Sequence, residues 1–194
     1  MTTYCRTVAT PDGPFTIITS AEAVLASGWT GDPGFLVARL TLAPGMDQAA
    51  ATNLPAATGL PPGTYLGPGS YGGQVRDCPA ILDQALAAVS AYYCGDGAPA
   101  RKVPTHQPAA AFHSQVRRAL RDIPYGHRIS YADLAAAAGN PRAARAAATA
   151  CSHNNTALFI PCHRVSPRDG APGGFLYGPA LKQSLLSREA GLVG

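Results

Sequence analysis

Ile160-Pro161-Cys162-His163-Arg164-Val165 places a cysteine between a proline and a histidine. The apolar run before it, Ala157-Leu158-Phe159-Ile160, predicts a buried strand that ends at the proline and delivers the next side chain into a cleft. A thiol beside an imidazole and a guanidinium lies in an electropositive setting that favours the thiolate. The stretch therefore indicates a nucleophilic Cys162, with a buried inert cysteine as the alternative.

Two further roles for the cysteine are a zinc ligand and the nucleophile of a protease or acyltransferase. Four side chains are candidate zinc ligands: Cys151, His153, Cys162 and His163. They lack the short paired spacing of zinc sites, and adjacent Cys and His ligands fit one tetrahedron poorly, so we expect no metal. A cysteine protease or acyltransferase would need a distant histidine and an oxyanion device, and no stretch of the sequence picks these out.

The composition indicates a globular protein of one or two domains. Of its 194 residues, 46% are hydrophobic and 13% are charged. No apolar run approaches the ~18 residues that a membrane-spanning helix needs, and no secretory signal is visible at the first residues. The five cysteines are odd in number and irregularly spaced, which favours reduced thiols in the cytoplasm over a disulfide framework.

The charges are distributed unevenly along the chain. Residues 1–100 carry three Lys and Arg against seven Asp and Glu, a formal balance of −4. Residues 101–194 carry twelve against four, a balance of +8. A basic half of this kind suggests a polyanionic partner, although simple surface asymmetry would produce the same pattern.

The first hundred residues predict a small supporting domain of mixed structure. The turn signal Pro11-Asp12-Gly13 separates the first two predicted strands, and residues 44–73 have no periodicity and predict a long surface excursion. A helix is predicted from Cys78 to Tyr93, and residues 101–108 are predicted to be a linker. The predicted strands are Tyr4 to Val8, Phe15 to Ser20, Val24 to Trp29 and Leu36 to Leu42.

The second half predicts a series of helices. Apolar residues from Phe112 to Ile123 fall at helical spacing, and Ser130-Tyr131-Ala132-Asp133 has the form of a capping box that begins a second helix. Asn140-Pro141 is a further start signal, for a helix that reaches about Ser152 and carries Arg142 and Arg145. Two short helices around a glycine-containing turn indicate a helix-turn-helix, with an ordinary helical hairpin as the alternative.

Taken together, these motifs resemble the O6-alkylguanine-DNA alkyltransferases, also called methylated-DNA–protein-cysteine methyltransferases. The hexapeptide at 160–165 is similar to the acceptor motif of that family. The resemblance implies an α+β fold, with a small ribonuclease-H-like α/β domain at 1–100 and a mostly helical, winged-helix-like domain at 109–194. Supporting matches in the same order are Ile123-Pro124-Tyr125-Gly126, Ser130-Tyr131, Gly139 to Ala146, Asn154, Gly173-Gly174, Lys182, Leu185-Leu186 and Glu189.

The resemblance also implies a reaction. Such proteins move an alkyl group from guanine O6 in duplex DNA, with O4-alkylthymine as a further candidate substrate, irreversibly onto their own cysteine, here Cys162. His163 would act as a base through a water, and Glu189 would orient it. Tyr131 near N3 and Lys182 near O6 would stabilise the departing guanine. Without the resemblance, Tyr131 is a packing residue at a helix start and Lys182 belongs to a solvated face.

Because the reacting carbon is buried in the duplex, the resemblance implies base flipping from the minor groove. Arg145 would fill the vacated stack, beside Arg142 and the small residues Ala143, Ala144 and Ala146. Supporting or base-pocket roles are implied for Asn154, Pro161, Val165, Gly174 and Phe175.

We therefore expect a monomer without a cofactor whose partner is double-stranded DNA containing alkylated bases, with no membrane partner. Two alternatives stay open. One is a damage sensor or regulator that uses the same helix-turn-helix without repairing the base. The other is a relative that acts on a different alkylating substrate.

Overall fold

The structure is a computed structural model that describes residues 3–41, 79–168, 171 and 173–191. The chain divides into two compact units, Met1–Pro108 and Ala109–Gly194. The surface excursion predicted between Pro44 and Gly73 lies outside the described residues. The mixed α+β architecture expected from the sequence is confirmed in both units.

The first unit is built on an antiparallel sheet in the order β1-β2-β3. Its strands are β1 (Tyr4–Thr10), β2 (Gly13–Thr19) and β3 (Val24–Gly28), which confirms three of the predicted strands. Thr10 pairs with Gly13 across the tight turn between β1 and β2, and Gly13 has a φ of 104° that a residue with a side chain rarely adopts.

Three helices accompany this sheet within residues 3–41 and 79–108: α1 (Pro33–Thr41), α2 (Ala80–Tyr93) and α3 (Ala98–Lys102). The strand predicted from Leu36 is wrong, because its described residues lie in α1. Leu36 and Leu40 are four residues apart, so a helix turns both onto one face, where they pack against Ile18 and Leu25 of the sheet. A short apolar run fits either structure, and only this packing distinguishes them.

Residues 101–108, predicted to be a linker, form part of the first unit in the structure. Arg101 and Lys102 close α3, and the chain then runs beside β3. The Val24 amide donates to the Pro104 carbonyl, and the His106 amide donates to the Val24 carbonyl, both at 2.9 Å. The segment is therefore hydrogen-bonded to the sheet of the first unit.

The second unit contains four helices among its described residues: α4 (Ala111–Asp122), α5 (Tyr131–Ala137), α6 (Ala144–Ser152) and α7 (Pro179–Glu189). Helices α4, α5 and α6 pack on one another around a core that includes Leu120, Leu134 and Ala147. Two short parallel strands, β4 (Ile129–Ser130) and β5 (Val165–Ser166), join the start of α5 to the segment that follows Cys162.

The predicted capping box at the start of α5 is confirmed. The Ser130 hydroxyl accepts from the Asp133 amide at 3.1 Å, and the Asp133 carboxylate accepts from the Ser130 amide at 3.3 Å. The helix predicted to begin at Pro141 instead begins at Ala144. Asn140 does not cap it, because its side-chain oxygen accepts from the Arg142 amide in a turn.

The buried strand predicted from Ala157 to Ile160 is also wrong, because these residues form a turn. The Ile160 amide donates to the Thr156 carbonyl at 2.9 Å, and Leu158 has a φ of 73°. All four residues are buried, as predicted. An apolar run of this length predicts that its residues are buried. It does not predict their backbone conformation, which depends on the contacts around them.

Candidate active site

Cys162 begins a single turn of 3-10 helix, Cys162–Arg164, directly after the buried Pro161. The turn is closed on both sides, since the Cys162 amide donates to the Ile160 carbonyl and the Arg164 amide donates to the Pro161 carbonyl. Cys162 itself is half-buried, whereas His163 and Arg164 expose only 1% and 2% of their surface. The turn therefore presents the thiol at the surface and sends the next two side chains inward.

Asn154 ties the thiol to the preceding segment. Its side-chain nitrogen donates to Cys162 Sγ at 3.2 Å and to the Ile160 carbonyl at 2.8 Å. Its side-chain oxygen accepts from the Thr156 amide at 3.2 Å. The buried amide thus holds both ends of the turn, and its donation to sulfur favours the thiolate form of Cys162.

Behind Cys162, the carboxylate of Glu189 collects four donors. His163 Nε2 lies 2.7 Å from Oε1, and Arg164 donates to both oxygens, from Nε at 2.8 Å and from Nη2 at 2.9 Å. The Gly126 amide donates to Oε2 at 3.1 Å. Burial alone would raise the pKa of Glu189, but the hydrogen bonds and charges of His163 and Arg164 outweigh it and lower the pKa to about 2.

The protonation of His163 follows from this carboxylate. Burial lowers the pKa of His163, and the hydrogen bond to Glu189 opposes that shift only in part. The imidazole is therefore neutral near pH 7. Because the ionised Glu189 can only accept, the ring proton lies on Nε2, and Nδ1 keeps a lone pair that can take a proton.

Lys182 is fully buried in α7, where its Nζ donates to the Val165 carbonyl at 2.6 Å. Burial lowers the pKa of its ammonium group, against the opposing effect of Cys162 and Cys151. The structure therefore contradicts a solvated helix face for Lys182. Lys182 is not one of the residues that line the cleft in front of Cys162.

That cleft has a volume of about 500 Å³. Five of the predicted site residues line it together: Tyr131, Asn154, Cys162, Gly174 and Phe175. The other lining residues are Ala148, Cys151, Ser152, Ala157, Pro167, Gly173, Leu176 and Tyr177. The Phe175 ring lies 5.5 Å from the Tyr177 ring and 6.4 Å from the His163 ring, between centroids, and lines the same cleft as Cys162.

Gly173 allows the loop that carries Phe175 to approach the cleft. It has a φ of 65°, and a Cβ there would lie 2.8 Å from Pro167 Cδ and 3.6 Å from the Tyr131 hydroxyl. Tyr131 is half-buried, and burial raises the pKa of its phenol, so the hydroxyl keeps its proton near pH 7 and can donate it to a ligand.

Helix α6 contributes to both the core and the cleft. Ala147 and Ala150 are buried in the core, while Ala148 and Cys151 line the cleft. Arg145 is exposed on the same helix. Of the other residues predicted to contact DNA, Arg142 is exposed just before the helix, and Ala143, Ala144 and Ala146 are half-buried.

Three residues of the site carry roles that the sequence did not reveal. Arg164 and Gly126 bind Glu189 across 25 and 63 residues of chain, a separation that no local spacing reports. The sequence indicates Cys151 only as a candidate zinc ligand, and its place on the cleft wall depends on the packing of α6. Among the described residues, no group of three or more His, Cys, Asp or Glu could hold a metal ion.

Comparison with known proteins identifies the family. Residues 111–191 match the family model described as 6-O-methylguanine DNA methyltransferase, DNA binding domain. A probable methylated-DNA–protein-cysteine methyltransferase of Acanthamoeba polyphaga mimivirus is 34% identical over 108 residues, which cover 56% of this chain and 72% of that protein. The chain belongs to this alkyltransferase family.

Further similarities extend over different parts of the chain. The bifunctional transcriptional activator/DNA repair enzyme Ada of Escherichia coli (strain K12) is 51% identical over 80 residues, 41% of this chain. The chain spans about a quarter of the length of that protein and of the Ada protein of Salmonella typhimurium. The Mycobacterium tuberculosis OGT, in a crystal structure with DNA, matches with a TM-score of 0.68 at 24% identity over 97% of this chain and 94% of that one, which shows a shared fold.

Within the described residues, no helix is both long and apolar enough to cross a membrane.

Proposed function

We propose that this protein repairs DNA by transferring an alkyl group from O6-alkylguanine in a duplex to Cys162. One observation carries the proposal: the Cys162 thiol faces a cleft of about 500 Å³ and is backed by the buried His163–Glu189 pair. The names of several relatives, methylated-DNA–protein-cysteine methyltransferase, support the reaction type. The DNA-bound structure of the Mycobacterium tuberculosis OGT supports the class of partner.

In the proposed reaction, His163 takes the thiol proton on Nδ1, directly or through one water. The resulting imidazolium is stabilised by the ionised Glu189, and Arg164 keeps that carboxylate ionised. The thiolate attacks the alkyl carbon, so that a sulfur–carbon bond forms as the carbon–O6 bond breaks. Guanine leaves with the bonding electrons and takes up a proton.

The departing guanine is stabilised from the cleft wall by the Tyr131 hydroxyl, which is protonated near pH 7. Phe175 stacks on the extruded base. Lys182 contributes positive charge near Cys162 from its buried position, and its bond to the Val165 carbonyl holds the acceptor segment in place. The thioether product has no easy leaving path, so each molecule reacts once.

Binding to duplex DNA is proposed for the exposed side of α6. Arg145 enters the minor groove and replaces the extruded base, and Arg142 contacts the backbone. The alanines between and beside them let the helix approach the narrow groove. The basic balance of residues 101–194 supplies the phosphate attraction, so that affinity falls with salt. The reaction requires no cofactor. The protein would act as a monomer in the cytoplasm.

The direct test is the mass of the protein after reaction with a duplex that contains O6-methylguanine. We expect one added methyl group on the peptide that contains Cys162, and no further addition with excess substrate. Cys162→Ala is the matched control and should stay unmodified while still binding the duplex. A methyl group on Cys151, or turnover beyond one per molecule, would contradict the proposal.

The role of Arg145 is tested by comparing two substrates. Arg145→Ala should slow reaction with the modified duplex by at least about tenfold, the equivalent of about 1.4 kcal/mol, because the vacated stack is left open. Its reaction with free O6-alkylguanine base should change little. Equal losses on the two substrates would remove the base-flipping role.

The names of the two Ada proteins keep a regulatory role as the second candidate. A sensor of that kind would bind alkylated DNA with the same α5–α6 pair and leave the base unrepaired. The methylated Cys162 peptide separates the two, because only a transferase produces it.

A further inference from the structure

A second cysteine lies in the same cleft as the acceptor. Cys151 is in the last turn of α6, and both it and Cys162 line the cleft and pack against the same core. Neither takes part in a disulfide in the structure. The reaction proposed above needs one thiol, so the second has no part in it.

Asn154 connects the two cysteines. Its backbone amide donates to the Cys151 carbonyl at 3.1 Å, and its side-chain nitrogen donates to Cys162 Sγ at 3.2 Å. One residue therefore touches both, and it is held in place by its bonds to Ile160 and Thr156. The pKa of Cys151 is raised by burial and by a negative charge on Cys162, and the ammonium of Lys182 opposes this shift.

We propose that Cys151 and Cys162 form a redox pair, in which oxidation by a hydroperoxide closes a reversible disulfide across the cleft. The pair is a modification site that lies in the cleft of the proposed alkyl transfer. Its blocking effect rests on that function, whereas formation of the disulfide does not.

The two thiols have different parts in this reaction. Cys162 is half-buried, accepts a hydrogen bond at sulfur and lies near the Lys182 ammonium, which favours its thiolate. Burial raises the pKa of Cys151, so it stays a thiol. Peroxide therefore reacts first at Cys162, and Cys151 resolves the product.

The chemistry balances in two steps. The Cys162 thiolate attacks one peroxide oxygen, the oxygen–oxygen bond breaks, and the departing oxygen takes a proton to leave as an alcohol or as water. Cys151 then attacks the sulfenic acid on Cys162, so that a sulfur–sulfur bond forms and the sulfur–oxygen bond breaks. The hydroxide leaves as water with the proton of Cys151. Two thiols are oxidised to a disulfide, and the peroxide is reduced.

Such a pair protects the acceptor. A sulfenic acid without a resolving thiol is oxidised further to sulfinic acid, which thiols do not reverse. The disulfide stops that sequence and is opened again by reduction. An oxidised molecule would be inactive in alkyl transfer until it is reduced, without being consumed.

The test treats the full-length protein with hydrogen peroxide, alkylates the remaining thiols with iodoacetamide and maps the peptides without reduction. We expect a peptide pair joined through Cys151 and Cys162, with the mass of two hydrogens lost. Dithiothreitol should restore both thiols and the reaction with alkylated DNA. The matched control is Cys94→Ala, which removes an exposed thiol of the first unit and should give the same joined pair.

Cys151→Ala tests what happens to an oxidised Cys162 when the resolving thiol is absent. After the same treatment it should carry sulfinic acid on Cys162, and dithiothreitol should not restore its reaction with alkylated DNA. In the wild type, sulfinic acid on Cys162 beside an unreacted Cys151, or a disulfide from Cys162 to any other cysteine, would overturn the proposal. Peptide mapping of the wild type decides this even if Cys151→Ala folds poorly. Peptide mapping requires no reaction with DNA, so its outcome is independent of the test of alkyl transfer.

Discussion

The two sides of Cys162 are held in different ways. On the buried side, His163, Arg164 and Glu189 meet through charge-assisted hydrogen bonds of 2.7–2.9 Å and are almost fully buried. On the open side, the half-buried rings of Phe175 and Tyr177 meet edge to face across the cleft wall. Charge-assisted bonds fix distance and angle, whereas aromatic contacts tolerate small shifts. The surroundings of the thiol are therefore fixed tightly, and the cleft that would receive the base in the proposed function is more adjustable.

Glu189→Gln should have the largest effect, because it acts on the buried side. It removes the charge that pairs with Arg164 and that would stabilise the His163 imidazolium formed during transfer, and losing one partner of a buried pair costs about 3–5 kcal/mol. We expect the free energy of unfolding in urea to fall by that amount and methyl transfer to slow strongly. Glu22→Gln, at an exposed carboxylate, is the control and should change neither quantity. A stable Glu189→Gln protein with normal transfer would show that the carboxylate is not essential.

The second largest effect is expected from acid, which should lower the free energy of unfolding by protonating Glu189. The pKa of Glu189 is lowered in the folded protein from 4.5 to about 2, so its contribution is complete above pH 4.5 and is lost as the pH falls toward 2. The loss amounts to about 3 kcal/mol. Burial also lowers the pKa of His163, so its contribution begins to be lost as the pH falls below 6.5.

Urea unfolding at a series of pH values measures this loss. In Glu189→Gln the part between pH 4.5 and 2 should be smaller, because the titrating group is absent. An identical acid dependence in both proteins would assign the loss to other carboxylates.

Gly126→Ala tests how closely the buried side is packed. Gly126 has a φ of 77°, and a Cβ there would lie 2.9 Å from the Glu189 carbonyl oxygen. Gly139→Ala is a matched control, since its φ of 85° carries similar backbone strain but no atom lies within 4 Å of the added Cβ. We expect Gly126→Ala to be less stable than Gly139→Ala by about 1–3 kcal/mol. Equal stabilities would mean that α7 shifts without cost.

Phe175→Leu tests the open side and should have the smallest effect. It keeps an apolar side chain but removes the aromatic face, which is worth about 1 kcal/mol in stacking. Transfer from duplex O6-methylguanine should slow by a few-fold, with little change in the free energy of unfolding. Tyr177→Phe, which keeps the ring, should react at nearly the wild-type rate. A large loss in the free energy of unfolding of Phe175→Leu would show that this ring is held as tightly as the buried side of Cys162.

Two local signals in the sequence predicted local structure well, whereas the helix start expected at Asn140-Pro141 was wrong. The capping box at Ser130 needs only residues three apart, and the β1–β2 turn needs only Pro11-Asp12-Gly13. The same reasoning failed for Leu36 and for Leu158, where a short apolar run is compatible with strand, helix or turn. In both places, packing against distant parts of the chain decided the backbone.

The site was predicted to a similar extent. The thiol of Cys162 and the nearest histidine could be read from adjacent residues, and the resemblance supplied the pairing of that histidine with Glu189. The hydrogen bonds from Arg164 and Gly126 to that carboxylate could not be predicted from the sequence, because only the docking of α7 brings these groups together. The position of Lys182 behind the acceptor segment has the same origin, since burial of a charged residue is not visible in its spacing.

The docking of α7 has a consequence for the order in which the protein is made. Lys182 and Glu189 lie seven residues apart, two turns of one helix, and both are buried against the segment that contains Cys162. A ribosome synthesises this helix after every other part of the site. During translation the α5–α6 pair can fold first, while His163 and Arg164 still lack their carboxylate. Cys162 thus reaches the setting described above only after α7 has been synthesised, so in the proposed function a nascent chain would present the α5–α6 pair to DNA before its thiol becomes reactive.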